Sequence, residues 1–272
     1  MNSLIKKTIP SIITISNLFL GFTSIVLLSM SINNQISYIS TVCYLILIGC
    51  ILDSIDGKVA RKLNVSSDFG KEIDSLADLV SFCMVPSFLI FVFYTVTFPD
   101  YINMVSLIFL SSFPLIFGAI RLAKYNAFGD MRYSEKYLGL PTPSNAILIC
   151  SIILFVNNTP IRFILGLNKF ENIIYSSLSW IFEIPYMILL ISILSSLLLM
   201  SKVDYEKFPL ISFKINKQNN RNLIKIILFL IILCVSVYYK DYDIILLLFI
   251  SIYIFGNVLK FLINYKNEEN PI

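Results

Sequence analysis

Four aspartates, Asp53, Asp56, Asp74 and Asp78, have the spacing in this chain that points most directly to chemistry. Asp53, Asp56, Gly57 and Ala60 fall at i, i+3, i+4 and i+7, which is one face of a helix. Gly70, Asp74 and Asp78 fall at i, i+4 and i+8, one face of the next helix. If the two helices are antiparallel neighbours, the carboxylates converge, and four like charges in one pocket do not all stay ionised unpaired. Hard divalent cations resolve this, because carboxylate oxygens suit Mg²⁺ or Mn²⁺. Gly57 costs about 1 kcal/mol of helix propensity relative to Ala. Close approach of something bulky and polar to the backbone explains it better than chance does. Arg61 is placed to grip a phosphate. Each aspartate taken singly also fits a plainer reading, a helix-end charge paired with Lys58, Arg61, Lys62 or Lys71. Four at matched spacing, with small residues among them, favour the site.

The surroundings of these carboxylates are apolar. The 272 residues are 57% hydrophobic and only 14% charged, against roughly 25% charge in a soluble domain. Runs of about 20 apolar residues cross a bilayer as helices, since backbone polar groups in lipid must be satisfied within the segment. The ten-residue alternating segments of a barrel are missing from the pattern. The expected fold class is therefore an all-α integral membrane protein. No nucleic-acid partner is expected. Histidine is absent, which excludes a serine–histidine triad, an HExxH zinc site and an imidazole base. Acid–base chemistry would fall to carboxylates, lysines or tyrosines. The five cysteines stand singly in apolar runs and read as packing residues.

Apolar runs predict spans at about 12–32, 38–52, 76–98 (with Pro86 as a kink), 102–122, a short fifth at 139–156, and 185–200. Two more follow near 223–239 and 243–263, about eight in all, with 157–184 ambiguous between a loop and an interfacial helix. This divides the chain into a membrane core (1–201), a polar connector (202–222) and a two-helix C-terminal extension (223–272). With the N-terminus in the cytoplasm, 18 of the 21 Lys and Arg lie on the cytoplasmic side, as the positive-inside rule requires. The same orientation puts the aspartates there.

From Asp53 to Asp78 the stretch reads D-x2-D-G-x2-A-R-x8-G-x3-D-x3-D. It resembles the signature of the CDP-alcohol phosphatidyltransferase family at all eight positions and at both long spacings. The resemblance implies a six-helix membrane core in which Asp53, Asp56 and Asp74 hold a pair of divalent metals. Asp78 would be the general base and a further metal contact. Gly57, Ala60, Arg61 and Gly70 would line the CDP site, and a homodimer is implied. The first helix begins Pro10-Ser11-Ile12-Ile13-Thr14, where the family usually has Pro-Asn-x-x-Thr. Thr14 keeps a hydroxyl near the expected cytidine, and Ser11 is shorter than Asn.

"IPSIITISNLFLGF", "IRLAKYNAF" and "YLGLPTPSNA" resemble the serine-using branch of that family, whose members join L-serine to the phosphatidyl group of CDP-diacylglycerol and release CMP. Ser75 and Leu79 stand where glycerophosphate-using relatives usually carry Pro and Lys. Arg121, Asn126 and Ser144 are the candidates for the alcohol pocket. Thr142 and Asn145 could line it too, or they and Ser144 could cap the fifth span. Lys124 reads as an anchor at the membrane surface. The competing readings are a sister enzyme using inositol phosphate or glycerol phosphate, a transporter with a carboxylate relay, and a catalytically dead lipid-binding relative.

Overall fold

In the computed structural model the chain is described over residues 3–33, 37–63, 67–99, 101–128, 136–165, 185–206 and 242–269. Helix α1 (Ser3–Asn33) packs along α2 (Ile39–Leu63) and against α3 (Asp68–Asp78). A stretch of π-helix, Leu79–Met84, joins α3 to α4 (Val85–Thr97). Then come α5 (Met104–Ser111), α6 (Phe113–Phe128), strand β1 (Lys136–Leu138), α7 (Thr142–Leu165), α8 (Pro185–Leu198), strand β2 (Asp204–Glu206) and α9 (Tyr242–Glu269). Among the described residues, five helical segments are long and apolar enough to cross a membrane. Thr142–Asn158 and Tyr186–Leu198 are shorter apolar helices. The expected span near 223–239 and most of the polar connector lie outside the described residues.

Of the five long segments, Asp68–Thr97 is the central one: 61% of its most apolar window is buried, against 22–39% for the others. Phe82, Val85, Leu89, Phe93 and Tyr94 from it pack with Leu28, Val42, Ile46, Ile149, Phe155 and Ile188. The outer faces carry Ile12, Phe19, Phe109, Ile252 and Phe255 exposed, as lipid contact requires. In a bilayer the helices associate by close packing, which favours small residues where they cross. A Cβ on Gly21 would lie 2.7 Å from Ser81 Oγ, and one on Gly118 would overlap Cys83 Sγ. All four described cysteines are buried and free.

Two boundaries differ from the hydropathy reading, for one reason. α2 continues past Leu52 to Leu63, and the third segment begins at Asp68 instead of near Leu76. Helical hydrogen bonds do not stop where apolar composition stops. Ser67 caps α3 by accepting from the Gly70 N–H at 3.0 Å, a contact worth about 1 kcal/mol. The irregularity expected at Pro86 falls one turn earlier, over Leu79–Met84. Pro86 has no N–H to donate backwards, so the preceding turn widens. The α5–α6 break is likewise satisfied across helices. Pro114 donates nothing, and the Leu115 N–H reaches Ser87 Oγ at 2.9 Å.

Hydropathy did not anticipate the β-ribbon. β1 and β2 pair antiparallel, with Tyr137 opposite Tyr205. Gly139, at φ 74°, turns the chain out of the ribbon and passes so close to the Leu199 carbonyl that a side chain there would collide with it. α9 grips the ribbon at Glu206, whose carbonyl accepts from Tyr253 Oη at 3.0 Å and whose carboxylate meets Lys260 Nζ at 2.7 Å. Tyr205 is fully buried, and burial pushes its hydroxyl up to about 12.

Candidate active site

Because α2 and α3 both pack against α1, the two half-motifs meet at their carboxylates. Asp53, Asp56 and Asp74 can each place a carboxylate oxygen within 4.8 Å of the others. That all-oxygen donor set fits a hard divalent cation and suits thiophilic metals poorly. Asp56 is the most buried of the three by exposed surface, at 4%. It is fixed from α1, where Thr14 Oγ1 lies 2.7 Å from Asp56 Oδ2. The same hydroxyl is 3.1 Å from the Pro10 carbonyl, and its single proton serves one acceptor at a time. Thr14 therefore touches the carboxylate cluster itself.

Asp78 lies outside that triad of oxygens. It sits beside Asp53, close enough for the two carboxyls to share a proton, and within electrostatic reach of Asp74 and Arg121. Its Oδ1 is buried without a hydrogen-bond partner. The π-helical stretch begins at the next residue, Leu79. Such widened turns recur at functional sites because they re-aim the side chains around them.

The small residues of the motif divide in two. Gly57 is exposed, and a Cβ there would meet nothing within 4 Å, so that face of α2 borders open space. A Cβ on Gly70 would come 3.1 Å from its own cap, Ser67 Oγ. Ala60 and Arg61 lie on the helical backbone of α2, and their side chains are outside the described residues.

Among the alcohol candidates, Asn126 does not face the carboxylate cluster. It ties α6 to α3, with its Oδ1 accepting from Ser75 Oγ at 3.1 Å and its Nδ2 donating to Glu72 at 3.3 Å. The two acids off the motif spacing are thus both engaged, since Asp68 pairs with Lys71 at 3.2 Å. Ser144 is half-buried, whereas its neighbours Thr142 and Asn145 are each 1% exposed. Thr142 Oγ1 and both polar atoms of Asn145 have no partner, so neither side chain caps α7. Arg121 faces inward, its Nε buried and unpartnered, while Lys124 is exposed.

Asn17 went unnoticed in the motif analysis. It is 1% exposed with Oδ1 unpartnered, and it packs against Gly49, one turn before Asp53. A Cβ on Gly49 would lie 2.7 Å from that oxygen. The available signal was its spacing of i+3 from Thr14 within an apolar run.

The profile of the CDP-alcohol phosphatidyltransferase family matches residues 7–183. The chain is similar to a Helicobacter pylori CDP-diacylglycerol–serine O-phosphatidyltransferase, 37% identical over 149 residues. That match covers 54% of this chain and 58% of the Helicobacter protein, so it spans little more than half the relative's length. The similarity to the Methanocaldococcus jannaschii protein of the same name is 29% over 230 residues, covering 85% of this chain and 83% of the other. For the Bacillus subtilis protein of that name it is 35% over 159 residues, 58% and 81%. With a family match running from α1 into the region beyond α7, and with the eight-position motif lying on α2 and α3, the chain belongs to the CDP-alcohol phosphatidyltransferase family.

Proposed function

We propose that the protein transfers the phosphatidyl group of CDP-diacylglycerol, or of an ether-lipid analogue, to the hydroxyl of L-serine, giving phosphatidylserine and CMP. The observation that carries this reading is the convergence of Asp53, Asp56 and Asp74 within 4.8 Å beside the open face at Gly57. The choice of serine rests on the relatives' names and on Ser75 and Leu79 in the motif.

In this reading Asp53, Asp56 and Asp74 hold the divalent metal, Mg²⁺ or Mn²⁺ and two per site, with Thr14 orienting Asp56. Bound there, the metal neutralises the pyrophosphate and stabilises the leaving oxygen. Gly57 and Ala60 make room for the nucleotide along α2, with Arg61 and Gly70 beside it. Asp78 takes the hydroxyl proton as the serine oxygen attacks the phosphorus joined to the lipid. That oxygen–phosphorus bond forms while the bond from phosphorus to CMP breaks, and CMP leaves with the electron pair. A groove of about 520 Å³ lies between α1 and α2. Ile15, Phe19, Ile48 and Leu52 line it, and it suits the start of an acyl or isoprenoid tail. The positive-inside pattern supports a cytoplasmic N-terminus and a site facing the cytoplasm from the inner membrane surface. A homodimer is the expected assembly.

The test is CMP release by purified protein with CDP-diacylglycerol and Mn²⁺ over a panel of alcohols. Release only with L-serine is the expected result. Release with inositol phosphate or glycerol phosphate and none with serine would assign a sister enzyme. No release with any alcohol would remove the transferase reading.

A further inference from the structure

Three contacts set the register of α1 against α2. Ser31 Oγ accepts from the Tyr38 N–H at 2.9 Å, Asn17 packs against Gly49, and Thr14 meets Asp56. Positions that rise along α1 fall along α2, so the two helices run antiparallel. Three residues on from Thr14 is Asn17, and three residues back from Asp56 is Asp53, each step about one turn. Asn17 is thus level with Asp53 as Thr14 is level with Asp56.

Asn17 is also tied to the segment that follows Asp78. Its carbonyl accepts from Ser81 Oγ in a buried hydrogen bond of 3.0 Å. Gly49 lies one turn before Asp53 and Ser81 nearly one turn after Asp78, each nearer the middle of its apolar segment. Held between those two points, the Asn17 side chain forms the floor of the carboxylate cluster.

An amide there needs a reason. Asn17 is 1% exposed, stands inside the apolar segment Pro10–Ile32, and keeps Oδ1 without a hydrogen-bond partner. Leucine would fill nearly the same volume and leave no polar atom unpaired. What leucine lacks is the amide's donor, Nδ2. Oδ1 is the end turned against Gly49, where a Cβ would come within 2.7 Å of it. Glycine offers only Cα–H groups there, which make weak contacts to oxygen. Nδ2 diverges from that contact. Asp56 has its donor in Thr14. Among the described residues Asp53 has none of that kind, and its hydrogen-bonding side-chain neighbour is Asp78, another carboxyl.

We infer that Asn17 is the positioning residue of Asp53: its Nδ2 donates to one carboxylate oxygen and leaves the other for the divalent cation. This rests on the metal-assisted reading above. A ligating carboxylate is oriented by the hydrogen bond made to its remaining oxygen. A neutral amide supplies that bond without adding charge to the pocket. Gly49 belongs to the same device, because a side chain there would displace Oδ1 and turn the amide away from Asp53.

The experiment measures Mn²⁺ binding to the purified protein by electron paramagnetic resonance, without substrates, beside the melting temperature in metal-free buffer. The wild type should bind Mn²⁺. Asn17→Leu should raise the Mn²⁺ dissociation constant about tenfold, the low end for loss of such a partner. Its metal-free melting temperature should be unchanged or higher, since a buried unpaired oxygen is removed. Gly49→Ala should raise the dissociation constant too, from the other side of the same contact. Asn17→Ala reads the same quantity where the leucine variant does not fold. An amide that only joined helices would give the reverse, a lower metal-free melting temperature and an unchanged Mn²⁺ constant. That result would overturn the inference and leave the metal-assisted reading standing. A wild type that binds no Mn²⁺ would overturn both.

Discussion

Thr14 on α1 and Asp56 on α2 are joined by a buried hydrogen bond of 2.7 Å, which ties the first helix to the carboxylate triad. It reaches across 42 residues of sequence, and neither residue can move without the other. An outer partner of this kind orients a metal ligand and sets its basicity.

Thr14→Val removes that bond at nearly constant volume. The Mn²⁺ concentration for half-maximal CMP release should rise about tenfold, the low end for loss of such a partner, and Thr14→Ser should restore it. An unchanged Mn²⁺ requirement would show that Asp56 needs no help from α1.

Asp78→Asn keeps the shape of the side chain and removes its capacity to take a proton. Turnover should fall by about 10²–10⁴, while CDP-diacylglycerol still binds with metal present, as read by equilibrium binding. Asp74→Asn should weaken metal binding itself. Near-normal turnover in the Asp78 variant would end its role as base.

Two glycines should respond in opposite ways to the same methyl group. Gly118→Ala sets a Cβ against Cys83, and overpacking of that kind costs about 1–3 kcal/mol, visible as a lower melting temperature in detergent. Gly57→Ala meets nothing and should leave stability unchanged or raise it by about 1 kcal/mol through helix propensity. Its KM for CDP-diacylglycerol should rise, because the methyl occupies the face that the proposed function gives to the nucleotide.

The last helix should affect the alcohol more than the nucleotide. Tyr253 holds the Glu206 carbonyl and lies within electrostatic reach of Arg121. Tyr253→Phe should cost about 1 kcal/mol of stability and raise KM for serine while KM for CDP-diacylglycerol stays constant. Lys260→Ala, which breaks an exposed pair, should cost about 1 kcal/mol or less. Equal effects on both KM values would mean that α9 merely anchors the fold.

Much of the site was legible from residue types and spacing. Asp53 and Asp56 on one helix face, and Asp74 and Asp78 on the next, announced a carboxylate cluster before any coordinate was known. Spacing could not separate Asp78 from the other three. Its place beside Asp53 and Arg121 depends on the helix crossing and on the widened turn after it. Asn126 and Ser144 were reasonable candidates by position. Asn126 proved to be engaged by Ser75 and Glu72, and the buried unpaired atoms belong to Ser144's neighbours, Thr142 and Asn145. Which face of a helix is buried is a property of its neighbours.

Composition and short-range periodicity by themselves determined that the chain is helical, that it is rich in segments able to cross a membrane and that it sets pairs of carboxylates on two successive helix faces. Those features depend on local hydrogen bonding and on transfer from water to lipid, both of which are written along the chain. Tertiary structure alone decided that Thr14 reaches Asp56, that Cys50 on α2 meets the Pro143 carbonyl at the start of α7, and that a two-stranded ribbon is held by α9. These contacts join residues from 42 to 93 positions apart. They form only where close-packed helix crossings at Gly21, Gly49 and Gly118 let the backbones approach.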